Sequence, residues 1–272
     1  MSLTHWVEWD RELINSLYTR PQFDCNGVLK AEPLTKNYGT IGTAFDYAVR
    51  LRLYQLNNKV IKADYLGDAF PLVARNGING DKKRREYIEK FDRKVLELSG
   101  DPSDVVRLLP SCIVLAKIEA VFRSGQEFPN SDIFRIDKLD VQDLANLFGL
   151  LDDSLFKARH RCNLNPIFGK SSQYIGGADA DLVLDDCLLD IKTTKYLKLT
   201  AGQLRQLVGY YILNVREKHL LGHIKRLGIY YSRYGVLYTF PIEGTIAVDD
   251  AKWVTIDNSL KHYHKELLAA RA

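Results

Sequence analysis

Apolar positions recur at helical spacing through the first 150 residues of the chain. The stretch Gly42 to Leu56 carries an apolar stripe, and so does the charged stretch Asp81 to Leu98, at Tyr87, Ile88, Phe91, Val95 and Leu98. A third helix is predicted from Asp101-Pro102, an acid before a proline, to about Gly125. A fourth is predicted from Asp140, read as an N-cap, to Leu151. The pattern changes after about residue 160. Asn165-Pro166 and Gly169 punctuate a short strand candidate, and two brief apolar runs, Leu182–Leu184 and Leu188–Ile191, flank Asp185-Asp186. Helical spacing returns from Thr200 to Val215. Gly228 to Ile242, rich in β-branched and aromatic residues and broken at Tyr234-Gly235, reads as a hairpin, and a last helix is expected at about Asn258 to Ala270. The sum is a mixed α/β core with a helical N-terminal elaboration. It divides at about residue 150 into 1–150 and 151–272, or forms one continuous domain.

With 272 residues, 46% of them hydrophobic and 26% charged, the chain has the composition of an ordinary globular protein. It is long enough to fold without disulfides or a structural metal. Its four cysteines, Cys25, Cys112, Cys162 and Cys187, form no CxxC pair, which suits free thiols in a reducing compartment. The first residues show no secretory h-region, and no run of eighteen apolar residues occurs, so a cytoplasmic protein without a membrane span is expected. No GxxxxGK[ST], GxGxxG, GxSxG or HExxH is present. His219 and His223 are four apart but lack the acid of a zinc motif.

The net charge is +4, and all of the surplus falls after residue 150. Residues 176–190 carry five acids and no base, whereas 191–240 carry nine Lys or Arg against Glu217 alone. An acidic cluster followed by a basic stretch suits a metal site beside a phosphate-binding surface. The simpler reading is two solvated faces of opposite sign.

The segment Gly176 to Lys195 gives that charge pattern a geometry. If Asp185-Asp186 is a two-residue hairpin loop, Leu184 pairs with Cys187, Val183 with Leu188, Leu182 with Leu189 and Asp181 with Asp190, with Asp179 opposite Lys192. Alternation then sets Asp179, Asp181, Asp190 and Lys192 on one face, and Leu182, Leu184, Leu189 and Ile191 on the other. Facing carboxylates are destabilising unless a cation lies between them, and hard oxygen ligands suit Mg²⁺ or Mn²⁺. Lys192 would then reach a phosphate, or orient or deprotonate a water. On the helix that follows, Gln203, Gln206 and Tyr210 fall within about 60° of one another, able to contact DNA or hold the lysine. Tyr230, Tyr231, Tyr234 and Tyr238 with Arg233 suit either base stacking or packing.

Asp181, Asp190-Ile191-Lys192-Thr193 and Arg205-Gln206-Leu207-Val208-Gly209-Tyr210, with Gly177 upstream, resemble the PD-(D/E)XK nuclease superfamily, and within it the RecB-like branch. The resemblance spans about residues 160–240. It implies a restriction-endonuclease-like αβββαβ core with a mixed central sheet. It implies Asp181, Asp190 and the Ile191 carbonyl as metal ligands, Lys192 as the catalytic lysine, and Gln206 and Tyr210, with Gln203 and Lys195, as supporting or DNA-contacting residues. The activity implied is metal-dependent cleavage of DNA leaving a 5′-phosphate and a 3′-hydroxyl. An upstream acid on a helix is common in this branch; Asp46, in Gly42-Thr43-Ala44-Phe45-Asp46-Tyr47, and Glu119 are the candidates, and Asp179 rivals Asp181. The cysteine clustering of iron–sulfur members is missing, so no such cluster is expected. A helicase or a phage or defence complex is a further candidate partner. The alternative is a non-catalytic module of the same fold that binds nucleic acid or scaffolds a complex.

Overall fold

A computed structural model describes residues 2–61 and 73–270. Helices α1 (Leu3–Trp9) and α2 (Arg11–Ser16) are followed by a long strap, then by α3 (Tyr38–Asn57), α4 (Lys82–Leu96), α5 (Pro102–Ser124), the short α6 (Asn130–Ile133) and α7 (Lys138–Phe148). Strand β1 (Cys162–Leu164), the single turn α8 (Ser171–Tyr174), β2 (Leu182–Leu184), β3 (Cys187–Lys192), α9 (Ala201–Arg216), β4 (Arg226–Tyr231), β5 (Val236–Pro241) and α10 (Asp250–Ala269) complete the chain.

Local chemistry sets most boundaries. Asp81 caps α4 by accepting from Arg84 N, and Asp101 caps α5 by accepting from Ser103 N. Gly125 ends α5 at φ 65°, in the left-handed region where glycine is favoured. The fourth helix starts earlier than its spacing suggested. Asp137 is the cap, and Asp140 lies inside the helix, where both its carboxylate oxygens accept from Asn37 Nδ2 at 3.0 Å. The last helix begins at Asp250 with Asp249 as cap, eight residues before the expected start. The strand expected beside Asn165-Pro166 ends just before them, at Leu164.

The sheet order is β1-β2-β3-β4-β5. Strands β1, β3 and β4 run one way and β2 and β5 the other. Parallel neighbours need a crossover, and α9 is the crossover between β3 and β4. The β2–β3 register is the one expected: Leu184↔Cys187, Val183↔Leu188, Leu182↔Leu189. Alternation divides those strands between two cores. Leu182, Leu184, Cys187 and Leu189 join the cluster under α3, α5 and α7, and Val183 and Leu188 join the cluster under α9. Helices α1, α2 and α10 complete that second cluster, with Trp6 Nε1 donating to Ser259 Oγ at 3.2 Å. The molecule is thus helices, sheet, helices, and both cores draw on residues from either side of position 150.

Candidate active site

On the N-terminal side of Leu182 the chain is no longer paired with β3, and that parting opens the site. Beyond Leu182 the chain keeps its pairing with the extension of β1: Asn165 N donates to Asp181 O and Ala180 N to Pro166 O, both at 3.0 Å, and Ile167 bridges Asp179. Had the hairpin ladder continued, residue 180 would face Ile191. Instead the Asp181 carboxylate takes over as acceptor, and Ile191 N donates to its Oδ2 at 2.5 Å. N–H and C=O of an extended residue face the same neighbouring strand, so the Ile191 carbonyl opens toward the Asp181 side. Asp179 does not face Lys192. It remains opposite Ile167, and its Oδ2 accepts from Arg123 Nη2 at 3.3 Å.

The gap is a cavity of about 290 Å³ at the end of β3. Asp181, Asp190, Ile191 and Lys192 line it from the sheet, Gln206 and Tyr210 from α9, Asp46 from α3, and Glu119 and Arg123 from α5. Lys192 Nζ lies 3.0 Å from Asp190 Oδ1 and 2.8 Å from Oδ2, and donates to Gln206 Oε1 at 3.0 Å. Gln206 Nε2 donates to Tyr210 OH at 3.1 Å, and that hydroxyl donates to Asp179 O at 2.6 Å. The Tyr210 ring stacks on Phe168 with centroids 5.3 Å apart. A continuous hydrogen-bonded chain therefore fixes the lysine from the helix side.

Opposite it, Glu119 is buried rather than exposed on its helix. Its Oε2 accepts from Tyr47 OH and its Oε1 from Arg123 Nε, each at 2.5 Å. Asp46 pairs with Arg50, whose guanidinium lies over the Tyr47 ring. The two helix acids are 73 positions apart in sequence and meet only through α3–α5 packing. Gln203 and Lys195 are not in the cavity. Gln203 closes the capping box of α9, donating to Thr200 Oγ1 through its backbone and accepting from Thr200 N at 2.7 Å. Lys195 is exposed on the loop after β3. Tyr230, Tyr231, Tyr234, Tyr238 and Arg233 are buried in the sheet and beneath the strap, so they pack rather than stack bases.

Crowding acids in a buried space raises their proton affinity. Burial above all, then the Asp190 and Asp46 charges, hold the Asp181 carboxyl well above its ordinary range. Burial also raises Asp190, against the pull of Lys192. Asp46 is pushed up to about 6 by burial, with Arg50 opposing and Glu119 adding to the shift. For Lys192, burial works to lower the pKa, and Asp190 and Asp181 outweigh it, so the net shift is upward and the group is an ammonium.

The donor chemistry fits a hard divalent cation. All the acids offer oxygen, five carboxylates face three cations, and the buried Asp46 Oδ1 has no hydrogen-bond partner. Among the described residues no three His, Cys, Asp or Glu side chains already converge as a ready cage; the acids are tied to Lys192, Arg50 and Arg123 instead. No family model, no curated protein and no solved structure matches the chain. Among the described residues no helix is long and apolar enough to cross a membrane.

Proposed function

We propose that this chain is a metal-dependent nuclease of the PD-(D/E)XK type, hydrolysing phosphodiester bonds in DNA and leaving 5′-phosphate ends. The observation that carries the reading is the meeting of Asp181, Asp190 and Lys192 in one cavity, with the lysine held by the Gln206–Tyr210 chain. The order helix, β1, α8, β2, β3, α9, β4 supports an αβββαβ reading, with the single turn α8 inserted between β1 and β2 and β5 added after β4.

Asp181 and Asp190, with the Ile191 carbonyl, would hold Mg²⁺ or Mn²⁺, and Asp46 and Glu119 stand across the cavity as further oxygen donors. The cation, when bound, supplies Lewis-acid polarisation of the phosphate and lowers the pKa of a coordinated water. Lys192 presents its ammonium to a phosphate oxygen and stabilises the charge that builds as the water oxygen bonds to phosphorus and the P–O3′ bond breaks. Gln206 and Tyr210 keep that ammonium at the cavity floor, and the ordering is in place before substrate arrives. Of the nine basic residues in 191–240, Lys192, Arg205, Arg216, Arg226 and Arg233 are ion-paired within the fold, and the exposed Lys195, Lys198, Lys218 and Lys225 are the ones that would meet a polyanion.

Cleavage of a labelled oligonucleotide in Mg²⁺ tests the reading. Asp190→Ala and Lys192→Ala are each expected to lose at least about 100-fold in rate, the scale of removing one electrostatic group from a transition state, while keeping a wild-type circular dichroism spectrum. Either variant cutting as fast as wild type would falsify the assignment. A chain that binds DNA but takes up no Mn²⁺ dependent on Asp181 would be the non-catalytic module instead.

A further inference from the structure

The loop between β3 and α9 begins one residue after Lys192 and carries Thr193-Thr194-Lys195-Tyr196-Leu197-Lys198-Leu199. A connection of this kind is ordinarily the least constrained part of a fold. This one is clamped. Tyr234 OH donates to Lys195 O at 2.6 Å, Tyr231 OH to Lys198 O at 2.9 Å, and Arg20 donates to Leu199 O. Ser232 Oγ holds Thr193 Oγ1 at 3.0 Å, and Tyr196 N donates to Thr194 Oγ1 at 3.1 Å. Tyr231 of β4 and Tyr234 of the turn after it are thus spent on fixing this loop.

The clamp holds an aromatic ring out of the core. Tyr196 is 57% exposed, although large apolar surface is normally withdrawn from water. The ammonium groups of Lys195 and Lys198 each lie 5.3 Å from its ring centroid. An exposed aromatic ring on a fixed backbone, with two ammonium groups at hand, is the arrangement that stacks one base and neutralises the phosphates flanking it. Tyr196 follows Lys192 by four positions, so their Cα atoms lie within about 14 Å of each other.

We propose that Tyr196, with Lys195 and Lys198, is a stacking platform for an unpaired base of a DNA strand entering the cavity, so that the favoured substrate is single-stranded or frayed DNA. A paired base inside a duplex keeps its faces covered by its neighbours and cannot use the ring. The inference rests on the nuclease reading for the fate of the strand, but the platform itself is tested by binding alone.

The test is fluorescence anisotropy of the full chain with a labelled oligothymidylate, an abasic oligonucleotide of equal length and a blunt duplex, all in EDTA so that no cleavage occurs. Wild type is expected to bind the oligothymidylate about ten-fold or more tightly than the abasic strand, the scale of one base–aromatic stack. Tyr196→Ala should remove that difference and Tyr196→Trp should keep it. Lys195→Ala and Lys198→Ala should each lower the slope of log affinity against log salt by about 0.7. Equal binding of intact and abasic strands by wild type, unchanged base preference in Tyr196→Ala, or tighter binding of the blunt duplex than of the single strand would each overturn the platform. Those results leave cleavage by Asp190 and Lys192 untouched, and loss of cleavage in the Asp190 or Lys192 variants leaves the platform untouched.

Discussion

A carboxylate that is buried among others destabilises the fold it serves, and Asp46, Asp181 and Asp190 each show the sign of it in a raised pKa. In the unfolded chain these acids protonate near 3.8, whereas Asp46 in the folded chain protonates at about 6. Between those two values the folded state binds more protons than the unfolded state. Stability therefore rises as pH falls through about 6 toward 4, the reverse of the usual acid behaviour of a salt-bridged carboxylate. The penalty is complete above that window and is on the order of 2–3 kcal/mol for Asp46 alone. Urea unfolding in EDTA is expected to give a higher midpoint at pH 5.5 than at pH 7.5, and saturating Mn²⁺ should raise the pH 7.5 midpoint. Asp181→Asn keeps an oxygen to receive Ile191 N–H and removes one of the repelling charges. It is expected to unfold a few degrees higher than wild type in EDTA at pH 7.5 and to lose most of the Mn²⁺ effect. A flat profile from pH 5.5 to 7.5 in both proteins would mean that the acids do not repel one another in the folded chain.

At the scale of elements, the seating of α1 on α9 depends on one missing side chain. A Cβ on Gly209 would stand 2.8 Å from Val7 Cγ1 and 3.0 Å from Leu3 Cδ1, closer than packed atoms sit. Gly209→Ala gains up to about 1 kcal/mol in helix propensity and loses about 1–3 kcal/mol to overpacking. Val7→Ala leaves a cavity at the same contact. The two together should cost less than the sum of the singles, with a coupling of about 1 kcal/mol by denaturant titration; strict additivity would mean that α1 is not packed there. This helix was the part of the fold least legible in the sequence. Seven residues give too few turns for a periodic signal, and the meaning of Leu3, Trp6 and Val7 lies in a partner 200 positions away. Elements with their own punctuation were legible, such as α5 between Asp101-Pro102 and Gly125, and the hairpin whose register Asp185-Asp186 fixes. The cap of α7 was placed one turn late: Asp137, not Asp140, caps it. The candidate site divides the same way. Asp181, Asp190, Lys192, Gln206 and Tyr210 were legible because strand alternation and one helix face bring them together locally. Glu119 could be named only through the resemblance, because it is the packing of α3 on α5 that brings Tyr47 and Asp46 to it. Asp179 was misplaced because a hairpin register cannot show where β2 leaves β3 to follow β1.

The whole molecule ties its helical and sheet-bearing parts together too closely for either to be dispensable. The buried pair Arg233–Asp143 joins the turn after β4 to α7, and Arg233 also donates to Ala31 O on the strap. Lys30 N and Ala31 N in turn donate to Arg233 O, so the strap is held from both sides of one residue. Residues 151–272 alone would keep all five strands but lose Leu3, Trp6, Val7, Ile14 and Leu17 from the α9 cluster. At about 1.5–3 kcal/mol for each large apolar side chain, that loss is roughly 7–15 kcal/mol, comparable with the whole stability of an ordinary domain. The opposite face of the sheet would be bared as well, with Leu182, Leu184, Leu189 and Tyr230 left without α3, α5 and α7. Arg233 would lose Asp143 and the Ala31 carbonyl together with the strap that buries it, so its anchoring of the turn after β4 would be lost as well. The fragment 151–272 is therefore expected to show no cooperative thermal transition and no dispersed amide spectrum, whereas the full chain unfolds in one transition. A fragment that melted cooperatively would show that the sheet and α9 hold their site without the N-terminal helices. In that case Asp46 and Glu119 would be outside help to the cavity rather than part of its wall.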